Sequence, residues 1–152
     1  MLNSLLANFY ERDLNKVIDE LNQFKREEDI WKTQGSINNS CGNLTLHIIG
    51  GLNYFVGTQL ANTGYVRDRV REFSSKGVDR TVLVSELKKL IQLIKATLLS
   101  LTEEDMKSEF PIMFDDAKNS KSYVLTQLLV HLNYHLGQIN YLRRVFDNRL
   151  RH

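Results

Sequence analysis

Three histidines are spaced to do chemistry. His131 and His135 stand four residues apart in His131-Leu132-Asn133-Tyr134-His135. At about 100° per residue they fall roughly 40° apart on a helical wheel, one turn along the axis. This i, i+4 spacing lets two imidazoles from one helix reach a single metal ion. His47 sits among Leu44, Leu46 and Ile48, where it can complete a three-nitrogen set from a facing helix. Imidazole suits Zn, Ni, Fe and Cu, so the ligand set does not name the ion. Three protein ligands leave a coordination position open, the pattern of catalytic rather than structural zinc. An ion so held can lower the pKa of bound water towards ~7, polarise a substrate or deprotonate a thiol. The same spacing also occurs in helices whose histidines are hydrogen-bonded core residues, and on spacing alone both readings stand.

Other residues near this set carry weaker expectations. Cys41 lies roughly 240° around the helix from His47, which makes it a poor fourth ligand. His152, the last residue, reads as tail rather than ligand. Gly50, Gly51, Gly57 and Gly137 fall inside the histidine segments. Each costs about 1 kcal/mol against Ala in a helix interior. Close helix approach is the expected reason, with Gly51 alternatively clearing space for a ligand beside the ion. Asn43, Asn53, Tyr134 and Gln138 are candidates to orient the imidazoles. Asp68 and Glu72 can approach from a connector, but a solvated, salt-bridged loop is the preferred reading for both.

These residues must be held by helices. Leu6, Tyr10, Leu14, Val17, Leu21 and Phe24 recur at helical spacing and predict an amphipathic helix over about 2–27. Ser40 or Asn39 can cap a second helix from about 41 to 61, with Gly64 as its stop. The stretch 67–77 reads as connector. Asp79 caps a third helix, whose stripe is Leu83, Leu87, Leu90, Ile91, Ile94, Leu98 and Leu101. The fourth runs from about 119 to 147. Pro111, the only proline, falls between the third and fourth. Four such helices with no strand pattern predict an all-α fold, a four-helix bundle in one domain over 1–152.

Charge is unevenly placed. The chain has 20 Lys+Arg and 18 Asp+Glu, yet none of them lies in 40–66 or in 122–142. These stretches are the second and fourth helices, and they hold three of the four histidines. An uncharged helix needs burial on more than one face, so a homodimer packed through helices 2 and 4 is expected. An all-imidazole site on such helices keeps the ion's full positive charge and favours an anionic ligand. The near-neutral balance gives no case for nucleic acid as a partner. The basic end (Arg143, Arg144, Arg149, Arg151) complements a helix dipole. The first residues show no signal peptide, no apolar run reaches the ~20 residues that span a bilayer, and the single Cys excludes an internal disulfide and a multi-thiolate zinc site. A cytoplasmic protein is expected.

The motifs also carry a resemblance. Gly42-Asn43-Leu44-Thr45-Leu46-His47-Ile48-Ile49-Gly50 is similar to the second helix of the DinB-like (YfiT-like) superfamily. Thr63-Gly64-Tyr65-Val66-Arg67-Asp68-Arg69, leading to Glu72-Phe73, resembles the segment that follows it. His131-Leu132-Asn133-Tyr134-His135-Leu136-Gly137-Gln138-Ile139 resembles the last helix, where His-x-x-x-His precedes Gly-Gln-Ile. The resemblance implies an up-down-down-up four-helix bundle, often dimeric, with nickel or zinc on His47, His131 and His135. It implies a metal-dependent enzyme class that includes thiol S-transferases using bacillithiol, mycothiol or glutathione. Leu136 departs from the pattern, since relatives often carry a basic residue there. The leading expectation is a thiol S-transferase whose ion activates a small-molecule thiol against an electrophile. The alternatives are a metal-dependent hydrolase and a non-catalytic dimeric binding or stress-response bundle.

Overall fold

The computed structural model describes residues 1–147; Asn148 to His152, and with them Arg149, Arg151 and His152, lie outside the described residues. The described chain is all-α, with no strand; two isolated bridges, Glu109 to Ser120 and Phe114 to Ala117, shape one loop. No helix among the described residues is long and apolar enough to cross a membrane.

Helix α1 (Leu2–Gln23) buries Leu6, Tyr10, Leu14, Val17 and Leu21, the stripe its spacing predicts. It ends before residue 27 because Phe24 turns extended to bury its own ring, and a 3-10 turn, Glu27–Trp31, follows. Helix α2 (Cys41–Leu52) is capped by Ser40, whose hydroxyl accepts from the Asn43 N–H. It continues through a π-helical turn, Asn53–Thr58, and a last turn, Gln59–Ala61. The stop is Asn62, in the left-handed region at φ 51°, with the Thr63 N–H bonded back to the Gly57 carbonyl. Gly64, the expected stop, comes two residues later at φ 75°.

The connector read over 67–77 contains a short helix, α3 (Arg69–Ser74), capped by Asp68. Six residues are too few for a hydrophobic period to show. Helix α4 (Arg80–Ser100) buries the predicted Leu83, Leu87, Leu90, Ile91, Ile94 and Leu98. A second short helix, α5 (Glu103–Lys107), starts on a reciprocal capping box between Thr102 and Asp105. Helix α6 (Lys121–Asp147) is the longest.

Contacts give the directions. Asn3 reaches the carbonyls of Leu98 and Leu101, Glu11 pairs with Lys95, and Arg80 bonds the Phe24 carbonyl, so α1 and α4 run antiparallel. Asp13 accepts from Asn133 at 2.6 Å, and Glu20 accepts from Asn140 and Arg143, so α1 and α6 run parallel. These acid–amide pairs repeat at the same interval along both helices. Each buried carboxylate is satisfied at one register only, and a slip would strand it. Cys41 faces Ile139 while His47 faces His131 and His135, so α2 runs antiparallel to α6.

The two charge-free helices differ. α2 is buried almost along its length, packed by α3, α4, α6 and the Glu27–Trp31 turn. Its lack of charge follows from that enclosure. α6 buries Val124, Leu125, Leu128, Leu132, Ile139 and Leu142 but leaves another face open.

Candidate metal centre

His47, from the buried middle of α2, meets His131 and His135 from α6. One ring nitrogen from each lies within 4.8 Å of the others. The rings stand edge to face, with centroids 5.2 Å apart for His47 and His131 and 5.0 Å for His47 and His135. Nε2 of His131 and Nε2 of His135 are 3.0 Å apart. All three residues singled out by spacing are therefore together.

The rings are oriented by other groups. Nδ1–H of His47 donates to Oε1 of Glu72 at 3.0 Å. Nδ1–H of His135 donates to Oε1 of Gln138 at 2.7 Å. Both bonds leave Nε2 as the nitrogen with a free lone pair, as a metal ligand requires. Partial burial, then the neighbouring imidazoles, hold His131 down to about 4. Burial also lowers His47, against the pull of Glu72 in the other direction. At His47 and His131 this favours the neutral imidazole, the form that binds a cation. Donor type and ring orientation fit a divalent ion.

Glu72 is the group that sequence reasoning misplaced. It is not a solvated loop residue: it is only 5% exposed, on α3. Arg67 grips it at two points, Nε to Oε2 and Nη2 to Oε1, both 2.9 Å. Burial pushes this carboxyl up, but the Arg67 and His47 hydrogen bonds outweigh it and hold it below the usual range. Asn43 secures the element beneath by donating to the carbonyls of Glu72 and Ser75. Asp68, by contrast, is exposed and serves α3 as its cap.

Gly50 makes this arrangement possible. A Cβ there would lie 2.1 Å from Oε2 of Glu72. A glycine just past His47 on the same helix was the available sequence signal for a group packed behind the imidazole. Gly51 has only Arg67 nearby, at 3.5 Å, and faces the cavity. Gly57 does serve close approach, to Thr63 and Leu93, whereas Gly137 has nothing within 4 Å. Of the other orienting candidates, Tyr134 stacks edgewise on His135, and Asn53 bonds its own helix at the Ile49 carbonyl. Cys41 is buried against the Ile139 carbonyl, its thiol pushed up to about 12 chiefly by burial, and takes no part.

A cavity of about 340 Å³ opens beside His47 and His131. Leu52, Phe55, Phe114 and Leu128 give it an apolar wall, while Arg67, Arg69, Asp115 and Gln127 supply polar groups. Arg69 makes no ion pair among the described residues. The bridge between Phe114 and Ala117 folds the loop that carries Asp115 to the rim.

The sequence profile of one family, described as "Protein of unknown function (DUF1572)", matches residues 2–150. No curated protein matches the chain.

Proposed function

We propose a function for this chain, which belongs to the DUF1572 family, from the chemistry of its own site: a divalent-metal-dependent enzyme acting on a small thiol. The observation that carries the reading is the convergence of His47, His131 and His135, two of them oriented by Glu72 and Gln138, at the edge of a cavity. Three imidazoles suit several divalent ions, and zinc or nickel is the choice that the DinB-like resemblance implies. Such an ion supplies Lewis acidity that ionises a thiol at neutral pH.

The chain's own residues do the rest. His47 is held in one tautomer by Glu72, and Glu72 by Arg67. The cavity's apolar wall receives an electrophile and keeps water from it, and the Arg67 and Arg69 guanidiniums favour an anionic ligand. In the transfer the sulfur bonds to the electrophilic carbon, the leaving group departs with the bonding pair, and the thiol proton passes to solvent. Glu72 is committed to His47 and Arg67, which favours a thiol nucleophile over water activated by a general base. Asp115 on the cavity wall is the carboxylate that the second reading, a metal-dependent hydrolase, would use.

The reading includes a DinB-like four-helix bundle in up-down-down-up order, supported by the directions of α1, α2, α4 and α6, and a cytoplasmic setting, supported by the free thiol of Cys41. The test is turnover by zinc- or nickel-loaded protein, with several small thiols against a generic alkyl electrophile. Thioether formation that needs both ion and thiol supports the transferase. Ester hydrolysis without thiol, abolished by Asp115→Asn, supports the hydrolase instead. Metal binding with neither activity contradicts both and leaves a binding module.

A further inference from the structure

The cavity beside His47 and His131 has an aromatic wall built by two separate elements. Phe55 comes from the π-helical turn Asn53–Thr58, a local widening of a helix of the kind that recurs at functional sites. Phe114 meets it edge to face, with ring centroids 5.4 Å apart. Phe114 belongs to the loop between α5 and α6, which buried Phe110 anchors. The backbone closes this loop on itself: the Phe110 N–H bonds the Asn119 carbonyl at 2.8 Å, and Phe114 and Ala117 exchange N–H bonds at 2.8 and 3.1 Å. Between those two residues Asp115 and Asp116 take positive φ, 52° and 60°, as a two-residue primed turn requires. The turn fixes where Asp115 stands, and Asp115 lines the cavity.

The charges on this cavity are not matched within the chain. Glu72 meets the charge of Arg67. Arg69 and Asp115 form no ion pair among the described residues, and although both line the cavity they do not pair with each other. Burial first, then the neighbouring imidazoles, then the charges of Arg67 and Arg69 hold the His131 imidazole down, so Arg69 stands at the histidine end. Asp115 stands on the loop with Phe114. Two opposite charges held apart on one cavity make a fixed dipole, and a ligand of the reverse dipole satisfies both. A simple anion is repelled by Asp115, and a simple cation by Arg69. At about 340 Å³ the cavity is at the small end of ligand sites, which run from about 300 to 1,000 Å³, so the ligand is of amino-acid size.

We propose that the compound presented to the ion alongside the thiol is a small dipolar ion with an apolar or aromatic body, its carboxylate on Arg69 and its ammonium on Asp115. Phe55 and Phe114 receive the body, and a positive group beside their rings gains further from them. Arg69 and Asp115 are thereby the residues that set which acceptor enters. The proposal rests on this cavity being the substrate site of the metal reading, but the recognition itself needs no ion.

Binding to the full-length, metal-free chain tests this, because an amine or carboxylate would otherwise ligate the ion directly. Three probes share one phenyl body: L-phenylalanine, 3-phenylpropionate, which lacks the ammonium, and phenethylamine, which lacks the carboxylate. Titration by ligand-detected NMR should show L-phenylalanine binding about fivefold or more tightly than either, as an ion pair at the upper end of the exposed range contributes. Asp115→Asn keeps a residue that tolerates the left-handed turn and should weaken L-phenylalanine to the level of 3-phenylpropionate. Arg69→Gln should weaken it to the level of phenethylamine. Each variant should leave the other preference in place, a split that a merely structural role would not produce. Equal binding of the three probes, no saturable binding of L-phenylalanine, or a ranking that neither substitution moves overturns the proposal. Zinc retention by the same protein is read separately, so this proposal and the metal reading fail independently.

Discussion

Oε1 of Glu72 lies 3.0 Å from Nδ1 of His47, and Arg67 holds that carboxylate from the other side. The contact decides which nitrogen of the ring remains for an ion. It also joins α3, otherwise a surface helix, to the imidazole cluster. Glu72→Gln keeps an acceptor for His47 but loses the charge that makes the imidazole more basic and satisfies Arg67. Zinc affinity, read by competition with a chromophoric chelator, should fall about 10–100-fold, with the helical spectrum retained. Unchanged affinity would show that Glu72 only braces the fold.

Two adjacent glycines should respond in opposite ways. Gly50→Ala places a methyl group 2.1 Å from the Glu72 carboxylate, and such overpacking costs about 1–3 kcal/mol. Gly51→Ala meets only ordinary contact with Arg67 at 3.5 Å, and should be neutral or gain up to about 1 kcal/mol from helix propensity. Urea denaturation of the metal-free proteins gives both values, and equal effects would contradict the assigned role of Gly50.

The register between α1 and α6 rests on buried carboxylates. Asn133→Ala removes a donor from Asp13, which is fully buried and keeps Arg12. A loss of about 1–3 kcal/mol is expected, the cost of a buried acceptor left short of a partner. Asn15→Ala, which removes an exposed bond to the Glu11 carbonyl, should change stability by less than about 0.5 kcal/mol.

Asp29 sets a pH dependence away from the cluster. Burial pushes its carboxyl up, but the hydrogen bonds of Arg26 and Lys32 outweigh burial and hold it below its ordinary value. A depressed pKa means that the folded state binds the proton less readily than the unfolded state. The stabilisation is complete above the unfolded value, about 4, and is lost as pH falls through the folded one. The melting-temperature gap between wild type and Asp29→Asn should therefore be larger at pH 7 than at pH 3. A gap independent of pH would contradict this assignment.

The histidine site was legible because its parts follow helical periodicity. His131 and His135 share a face through spacing alone, and the long apolar stripes place α1, α4 and α6 to within a few residues. The rest depends on short elements that carry no periodic signal. α3 has too few residues to show a period, and Glu72 stands among Arg67, Asp68, Arg69 and Arg71, where a run of charge suggests water. Only tertiary enclosure by Asn43, His47 and Arg67 makes it a buried group. The two charge-free stretches sit differently in the fold. α2 is enclosed by its own chain, while α6 presents a stripe outward.

Metal content tests the central claim most directly. Untagged protein, stripped and then dialysed against limiting zinc or nickel, should retain about one divalent ion per chain. His47→Ala and His131→Ala should lose it while keeping the helical spectrum, and Cys41→Ala should retain it. Wild-type protein that retains no stoichiometric ion, or His131→Ala that retains as much as wild type, would contradict the three-histidine centre.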